Sequence, residues 1–154
     1  MNKLKEKEYV ERVPNHEIDK GDGRVWYIPH HGVYHPRKGK LRVVLDCSAR
    51  YYGTSLNDNL LQGPNLTNKL HDVLIRFRQD TVVVMGDIES MFFNQVKVPR
   101  KHRDYLRFLW WPDGDTTKEP EIYRMTVHLF GAISSPACAN LALRESANFL
   151  SVLA

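Results

Sequence analysis

Residues 81–98 read TVVVMGDIESMFFNQVKV and begin with a continuous apolar run. The run at residues 82–85 is short and β-branched, which fits a strand buried on both faces of a sheet. Gly86 and Asp87 close it. The pattern therefore predicts a carboxylate held rigidly at the end of a buried strand, at the edge of the core.

Asp87 is the first candidate functional residue. Mg²⁺ needs hard oxygen ligands and suits sites that combine one or two carboxylates with substrate phosphates. Phe92 follows five residues later, where its ring would wall the same pocket. The alternative is that Asp87 only turns the chain after a strand, a common use of aspartate.

Helix and strand signals lie on both sides of this run. Residues 65–79 carry apolar side chains at helical spacing, with Asn65 or Thr67 as the cap. Ser135 as N-cap and Pro136 at the first helical position begin a second long helix. The order predicts an α+β fold with antiparallel hairpins and two main helices. Further predicted elements are an exposed helix before Pro14 and strands at residues 25–28, 41–45, 96–98, 105–111 and 122–127.

The composition limits the classes of protein to which this chain can belong. The chain has 154 residues, a net charge of +4, 42% hydrophobic and 26% charged residues, which indicates one ordinary globular domain. No apolar run approaches the roughly 18 residues that span a bilayer, and the charged start is unlike a signal peptide. Cys47 and Cys138 are too few for a disulfide framework. We therefore expect an intracellular protein with no membrane partner.

Cations cluster before and within the strand predicted at residues 41–45. Lys40 and Arg42 are two residues apart, so they share one face of that strand, and Lys38 and Arg50 lie nearby. Such a face can bind phosphate, which arginine contacts bidentately. The alternative is a solvated strand edge protected by its charges.

Two other segments are further candidate sites. Residues 130–136 read FGAISSP, in which a glycine permits close approach of backbone or ligand before a helix N-terminus, although a plain helix start explains it equally. His30, His31 and His35 with Cys47 match no zinc-site spacing, and the prolines and glycine among them disfavour a helix. The two cysteines are expected to be small buried hydrophobes.

Five segments, taken in order, resemble the reverse transcriptase of Bel/Pao-type LTR retrotransposons. They cover about residues 26–143 and read WYIPHHGVYHPRKGKLRVVLDCSARYYGTSLND, LLQGPNL, VVVMGDIESMFFNQVKVP, YLRFLWW and YRMTVHLFGAISSPACANLAL. The resemblance implies the fingers and part of the palm of a right-hand polymerase at residues 25–154. Residues 1–24 would be a helical or linker segment.

The resemblance also implies site residues near the reacting phosphates. Asp87 matches the first catalytic aspartate, a ligand of both metal ions, and the backbone carbonyl of Ile88 would join it at one of them. Phe92 matches the aromatic gate that crowds a ribose 2′-hydroxyl. Arg42 matches the arginine over the incoming triphosphate, with Lys40 or Lys38 in the role of the fingers lysine.

The remaining matches concern the nascent base pair and the template. Phe130 and Gly131 match the part of a family motif that lies at the dNTP. Ser135 and Pro136 match the part of the same motif that faces template and primer. Arg50 is a further candidate contact to template or primer.

The chain departs from the family at the remaining two catalytic aspartates. The Tyr-x-Asp-Asp hairpin that carries them is absent, and the only carboxylate after Gly131 is Glu145. We therefore expect a fragment that ends before this hairpin and does not polymerise alone. The complete enzyme would use Mg²⁺, dNTP and an RNA or DNA template-primer. The alternative is a domesticated or remnant nucleic-acid-binding module without catalysis.

Overall fold

The computed structural model describes residues 1–19, 21, 23–91 and 96–152. The α-helices among them are α1 (Asn2–Glu6), α2 (Leu70–Phe77) and α3 (Ser135–Val152). The strands are β1 (Val10–Arg12), β2 (His30–His35), β3 (Lys40–Leu45), β4 (Arg107–Trp110) and β5 (Glu121–Met125). Short 3₁₀ turns lie at Asn15–Glu17, Pro36–Lys38, Asn57–Asn59, Arg100–Leu106 and Pro112–Gly114. The predicted mixture of helices and antiparallel strands is confirmed.

The larger sheet has the strand order β1-β5-β4, and both pairings are antiparallel. Val10 lies opposite Met125 at one edge, and Phe108 lies opposite Tyr123 at the other. Two of the predicted strands add single bridges to this sheet, through Tyr27 to Arg107 and through Lys97 to Val127. These segments therefore pair with the sheet, but over less length than the sequence predicts.

The core lies against this sheet. Its buried apolar side chains come from the sheet, from the adjoining segments and from the loop before α3, and they are Val10, Ile28, Cys47, Leu56, Val98, Leu106, Phe108, Tyr123, Met125, Val127, Leu129 and Ala132. The N-terminal segment contributes to it, because residues 10–12 form β1 where the sequence predicts the end of a helix. β1 gains a full ladder along β5, which outweighs the local helix preference of an alternating Lys and Glu run.

β2 and β3 form a separate two-stranded antiparallel hairpin, in which His35 pairs with Lys40 and His30 pairs with Leu45. Its turn ends on Gly39, whose φ of 57° is in the left-handed region. The predicted strand at residues 41–45 is therefore confirmed and begins one residue earlier.

The strand predicted at residues 82–85 is wrong. These residues have no regular secondary structure, and their side chains are exposed, with Val84 at 89%. A central strand needs neighbours on both sides for its backbone groups, and the described sheet order places none beside this run. The side chains of residues 82–85 therefore form exposed apolar area.

The helix predicted at residues 65–79 is shorter than expected. α2 begins at Leu70, and the side-chain oxygen of Asn65 accepts a hydrogen bond from the Thr67 amide at 3.0 Å. Asn65 thus forms an Asx turn instead of a helix cap. None of the α2 residues is buried, so its apolar side is open.

Candidate nucleic-acid interface

The β2–β3 hairpin presents its cations on one face. In the antiparallel register Lys40 lies opposite His35, and Arg42 lies opposite Val33. Residues directly opposite each other point to the same side of a sheet, so Lys40, Arg42 and His35 share this face. Both cationic side chains are exposed. The prediction that Lys40 and Arg42 lie on the same side is confirmed, and we call this side the cationic face.

The opposite side of the hairpin is fastened to the sheet. His30 Nε2 donates a hydrogen bond to the carbonyl oxygen of Leu109 at 2.7 Å. The imidazole also contacts the Trp110 ring, with 5.1 Å between the ring centroids. His30 therefore holds the base of the hairpin against β4. Beyond this base both faces of the hairpin are exposed, since Leu41 on the face opposite Arg42 is 69% exposed.

Gly131 lies where the end of β3 meets the loop before α3. Its φ is +96°, and a Cβ there would lie 3.1 Å from the carbonyl oxygen of Leu45 and 3.9 Å from Cys47 Sγ. Both the backbone conformation and the close approach of β3 favour glycine at this position. The expectation that this glycine permits close approach is confirmed, and the approaching group is protein backbone.

Asn57 ties a distant segment to the same loop. Its Nδ2 donates to the carbonyl oxygen of Gly131 at 2.9 Å, and its Oδ1 accepts from the Ile133 amide at 2.9 Å. Nδ2 also donates to Ser48 Oγ at 3.0 Å. One side chain thereby connects residues 48, 57 and 131–133. Asn57 is not among the residues predicted from the sequence, although it lies at Leu56-Asn57-Asp58 within the first segment that carries the resemblance.

Arg50 lies on the same connected segment. Its side chain is exposed, Nη1 donates to the carbonyl oxygen of Gly53 at 3.1 Å, and Nη2 pairs with Asp58 at 3.4 Å. Phe130 precedes Gly131, and its ring is about half exposed. The structure therefore brings five predicted site residues onto contacting segments: Lys40, Arg42, Arg50, Phe130 and Gly131.

Ser135 and Pro136 have different environments at the start of α3. Ser135 is buried, and its hydroxyl donates to the carbonyl oxygen of Leu129 at 2.8 Å. Its side chain therefore positions the loop of Gly131 instead of facing a ligand. The Ser134 carbonyl accepts the first helical bond, from the Cys138 amide at 3.1 Å, so Ser134 and not Ser135 is the N-cap. Pro136 is exposed and lines a small cleft between α3 and residues 62–67.

Asp87 and Ile88 lie on the exposed segment that follows residues 82–85. Beside them, Glu89 pairs with Lys7 at 3.5 Å, which is a contact to the N-terminal part of the chain. Phe92, the predicted aromatic gate, lies outside the described residues.

The residues present do not fit a two-metal centre. Two adjacent divalent ions need several carboxylates to offset their charge. Within the described ranges no three His, Cys, Asp or Glu side chains converge to hold a metal ion. An isolated, exposed carboxylate at Asp87 does not supply that ligand set.

A buried ion network is a second feature that sequence reasoning missed. Arg124 Nη1 contacts Glu17 Oε2 at 2.6 Å and Asp104 Oδ1 at 2.8 Å, and Arg124 Nε contacts Glu11 Oε1 at 2.6 Å. Arg107 is fully buried and shares Asp104. The network joins β1 and the turn after it to β4 and β5. The available signal was a charged residue between two large side chains of a strand, as Arg124 is between Tyr123 and Met125 on β5.

The surroundings of three core groups shift their pKa values. Burial of the Arg124 guanidinium opposes its charge, but the hydrogen bonds that it donates to Asp104, Glu11 and Glu17 prevail and raise its pKa. Burial, with a smaller contribution from Asp46, raises the pKa of the Cys47 thiol to about 11. Desolvation lowers the pKa of His128, whose Nδ1 lies 3.2 Å from Ser135 Oγ. Cys47 is buried, as expected, whereas Cys138 is only partly buried.

No protein-family model matches the chain, and no curated protein matches it. Of the helices in the described part, none combines the length and apolar character needed to cross a lipid bilayer.

Proposed function

We propose that this chain is a fragment of an RNA-directed DNA polymerase of the retrotransposon type, and that it contributes surface facing nucleotide and template without catalysing synthesis alone. One observation carries the proposal. The segments that the resemblance assigns to dNTP and template contact each other, through Asn57 with Gly131 and through Gly131 with the end of β3. Arg42, Arg50 and Gly131 thus lie on segments that contact one another.

The charges of this surface suit a polyanionic ligand. Lys40 and Arg42 are exposed on the cationic face, and Arg50 is exposed on the adjoining segment. Guanidinium groups contact phosphate oxygens bidentately. Phosphates of nucleic acid or of a triphosphate are therefore the ligands that this face would attract, with an affinity that falls as salt rises.

Catalysis by this chain alone is not part of the proposal. Nucleotidyl transfer by two metal ions requires carboxylates that clamp both of them. This sequence supplies Asp87 and contains no Tyr-x-Asp-Asp segment. We expect no dNTP incorporation by the 154-residue chain in the presence of Mg²⁺. The complete enzyme would use Mg²⁺ bound by Asp87, the Ile88 carbonyl and carboxylates from outside this sequence.

Salt-dependent binding tests the proposal. Fluorescence anisotropy with a labelled primer–template should show binding that weakens with salt, and Lys40→Gln and Arg42→Gln should each reduce the steepness of that dependence by about one. Lys118→Gln is the matched control, since Lys118 is exposed on the β4–β5 connection and pairs with Asp113. Absence of binding at low salt, or an equal loss with Lys118→Gln, would refute the proposed surface.

Primer extension by a longer product of the same reading frame would distinguish the polymerase from the non-catalytic alternative. If it carries a Tyr-x-Asp-Asp segment, primer extension should depend on Asp87, and Asp87→Ala should abolish it. Phe92→Val should relax discrimination against ribonucleotides, and unchanged sugar selectivity would refute the gate assignment. Binding by the present chain that survives Asp87→Asn, with no extension by any longer product, would favour a binding module.

A further inference from the structure

The turn at residues 51–54 exposes two aromatic rings. Tyr52 is 91% exposed and Tyr51 is 67% exposed. Their ring centroids are 4.5 Å apart and the rings meet edge to face at 76°. Each ring therefore retains a large face that is open to a ligand.

The turn fixes the backbone that carries these rings. The Tyr51 amide donates to the Thr54 carbonyl at 2.8 Å, and the Thr54 amide returns a bond at 3.2 Å. Tyr52 and Gly53 have φ values of 47° and 80°. This is the signature of a two-residue type I′ hairpin, in which asparagine is favoured at the position of Tyr52. A bulky aromatic residue in the left-handed region is unusual.

Neighbouring side chains fasten the turn to the candidate interface. Arg50 donates to the Gly53 carbonyl, and Asn59 Nδ2 donates to Thr54 Oγ1 at 2.8 Å. Two residues before Asn59, Asn57 holds the loop of Gly131. The aromatic rings are thus carried on a supported segment next to the surface proposed for template and nucleotide.

We infer that Tyr51 and Tyr52 form a base-stacking platform for single-stranded nucleic acid, with Arg50 beside them for the phosphate backbone. The inference rests on the proposed function and adds a binding element to it. Rigid exposed aromatic rings next to a cation are the combination that binds unpaired bases with little sequence preference. Two rings on a narrow turn are far smaller than the roughly 800 Å² per partner of a stable protein interface, so the single strand is the better fit.

Paired oligonucleotides provide the test. The chain is titrated with a labelled single-stranded 12-mer and with an abasic 12-mer of the same length and charge. We expect the base-containing strand to bind about tenfold more tightly, since each stacked base contributes that order of affinity. Tyr52→Asn should abolish most of this difference. The substitution creates Asn-Gly, which the type I′ turn favours, so loss of fold does not explain a loss of binding.

Two further variants complete the design. Tyr52→Phe keeps the ring and should keep the affinity. Phe149→Ser removes an aromatic ring from α3 that is 66% exposed, close to the exposure of Tyr51, and should leave binding unchanged. Equal affinity for the abasic strand, or full affinity in Tyr52→Asn, would overturn the platform.

Different experimental outcomes would refute the stacking platform and the proposed function. If Lys40→Gln and Arg42→Gln weaken binding while Tyr51→Ala and Tyr52→Asn do not, the inference is wrong and the cationic face stands. If only the tyrosine variants weaken binding, the platform stands and the cationic face loses its role. If neither oligonucleotide binds at low salt, both are wrong.

Discussion

Asn57 and Gly131 are separated by 74 residues in the sequence, yet the Asn57 side chain donates to the Gly131 carbonyl at 2.9 Å. The Oδ1 atom of the Asn57 side chain accepts from the Ile133 backbone amide. Asn57 thus satisfies one backbone donor and one backbone acceptor of a loop that lacks regular secondary structure. An irregular loop needs such partners because its backbone groups have no ladder or helix to satisfy them. This pair therefore determines where the loop before α3 lies relative to residues 46–59.

Replacing Asn57 should release that loop. Asn57→Ala removes both hydrogen bonds to the loop as well as the one to Ser48, and should lower the free energy of unfolding by about 0.5–1.5 kcal/mol, because these bonds are exposed and water can satisfy the groups that lose their partner. The amide of Ile133 should exchange with solvent much faster, as measured by hydrogen exchange. Asn59→Ala is the control, since its two bonds, to Thr54 and Ser55, are local. Unchanged protection of Ile133 in Asn57→Ala would contradict this account.

Gly131→Ala should destabilise the fold more than a glycine substitution in open space. The added Cβ meets the Leu45 carbonyl at 3.1 Å and must also accept a φ of +96°. Gly53→Ala carries a similar φ of +80° with nothing within 4 Å, so it isolates the backbone cost. That backbone cost is about 1–3 kcal/mol, and urea unfolding should show a larger loss for Gly131→Ala. Equal losses of unfolding free energy in the two variants would mean that β3 moves to accommodate the Cβ of residue 131 at no cost in free energy.

The buried ion network should make Arg124 essential for folding. Arg124→Met leaves the carboxylates of Glu11, Glu17 and Asp104 without their shared cation, and breaking such a network costs about 3–5 kcal/mol. Arg12→Met is the control, because Arg12 pairs with Glu121 at 3.2 Å in an exposed position. An exposed pair contributes about 0–1 kcal/mol. Urea unfolding of the two variants should differ accordingly, and similar midpoints would argue that the network is solvated.

Stability should fall on mild acidification because of His128. Desolvation lowers its pKa in the folded chain below 6.5, so the unfolded chain binds the proton first as the pH falls. The free energy of unfolding should therefore decrease from pH 6.5 down to the lowered pKa and then level off with respect to this group. His128→Asn removes the titration. Unfolding free energies of wild type and variant should converge as the pH falls through that window, and a constant difference would contradict the assignment.

Local patterns in the sequence predicted the elements whose partners are close along the chain. The β2–β3 hairpin, with Lys40 and Arg42 on one face, follows from alternation and a short turn. β4, β5 and α3 were located to within a few residues for the same reason. The run at residues 82–85 shows the limit, because an apolar β-branched segment becomes a strand only where another strand offers hydrogen bonds. Asn57 and Arg124 escaped notice because their partners are distant in sequence.

The amino-acid order by itself determined the α+β character, the hairpin cations and the glycine at position 131, since alternation, turn residues and conformational freedom are local properties. Tertiary structure alone decided that Asn57 and the end of β3 meet at Gly131, that Ser135 is turned inward, and that Arg124 and Arg107 are buried among carboxylates. It also decided that Asp87 lies on an exposed irregular segment. These outcomes depend on which distant groups come together to satisfy charges and backbone hydrogen bonds, and no local pattern encodes that choice.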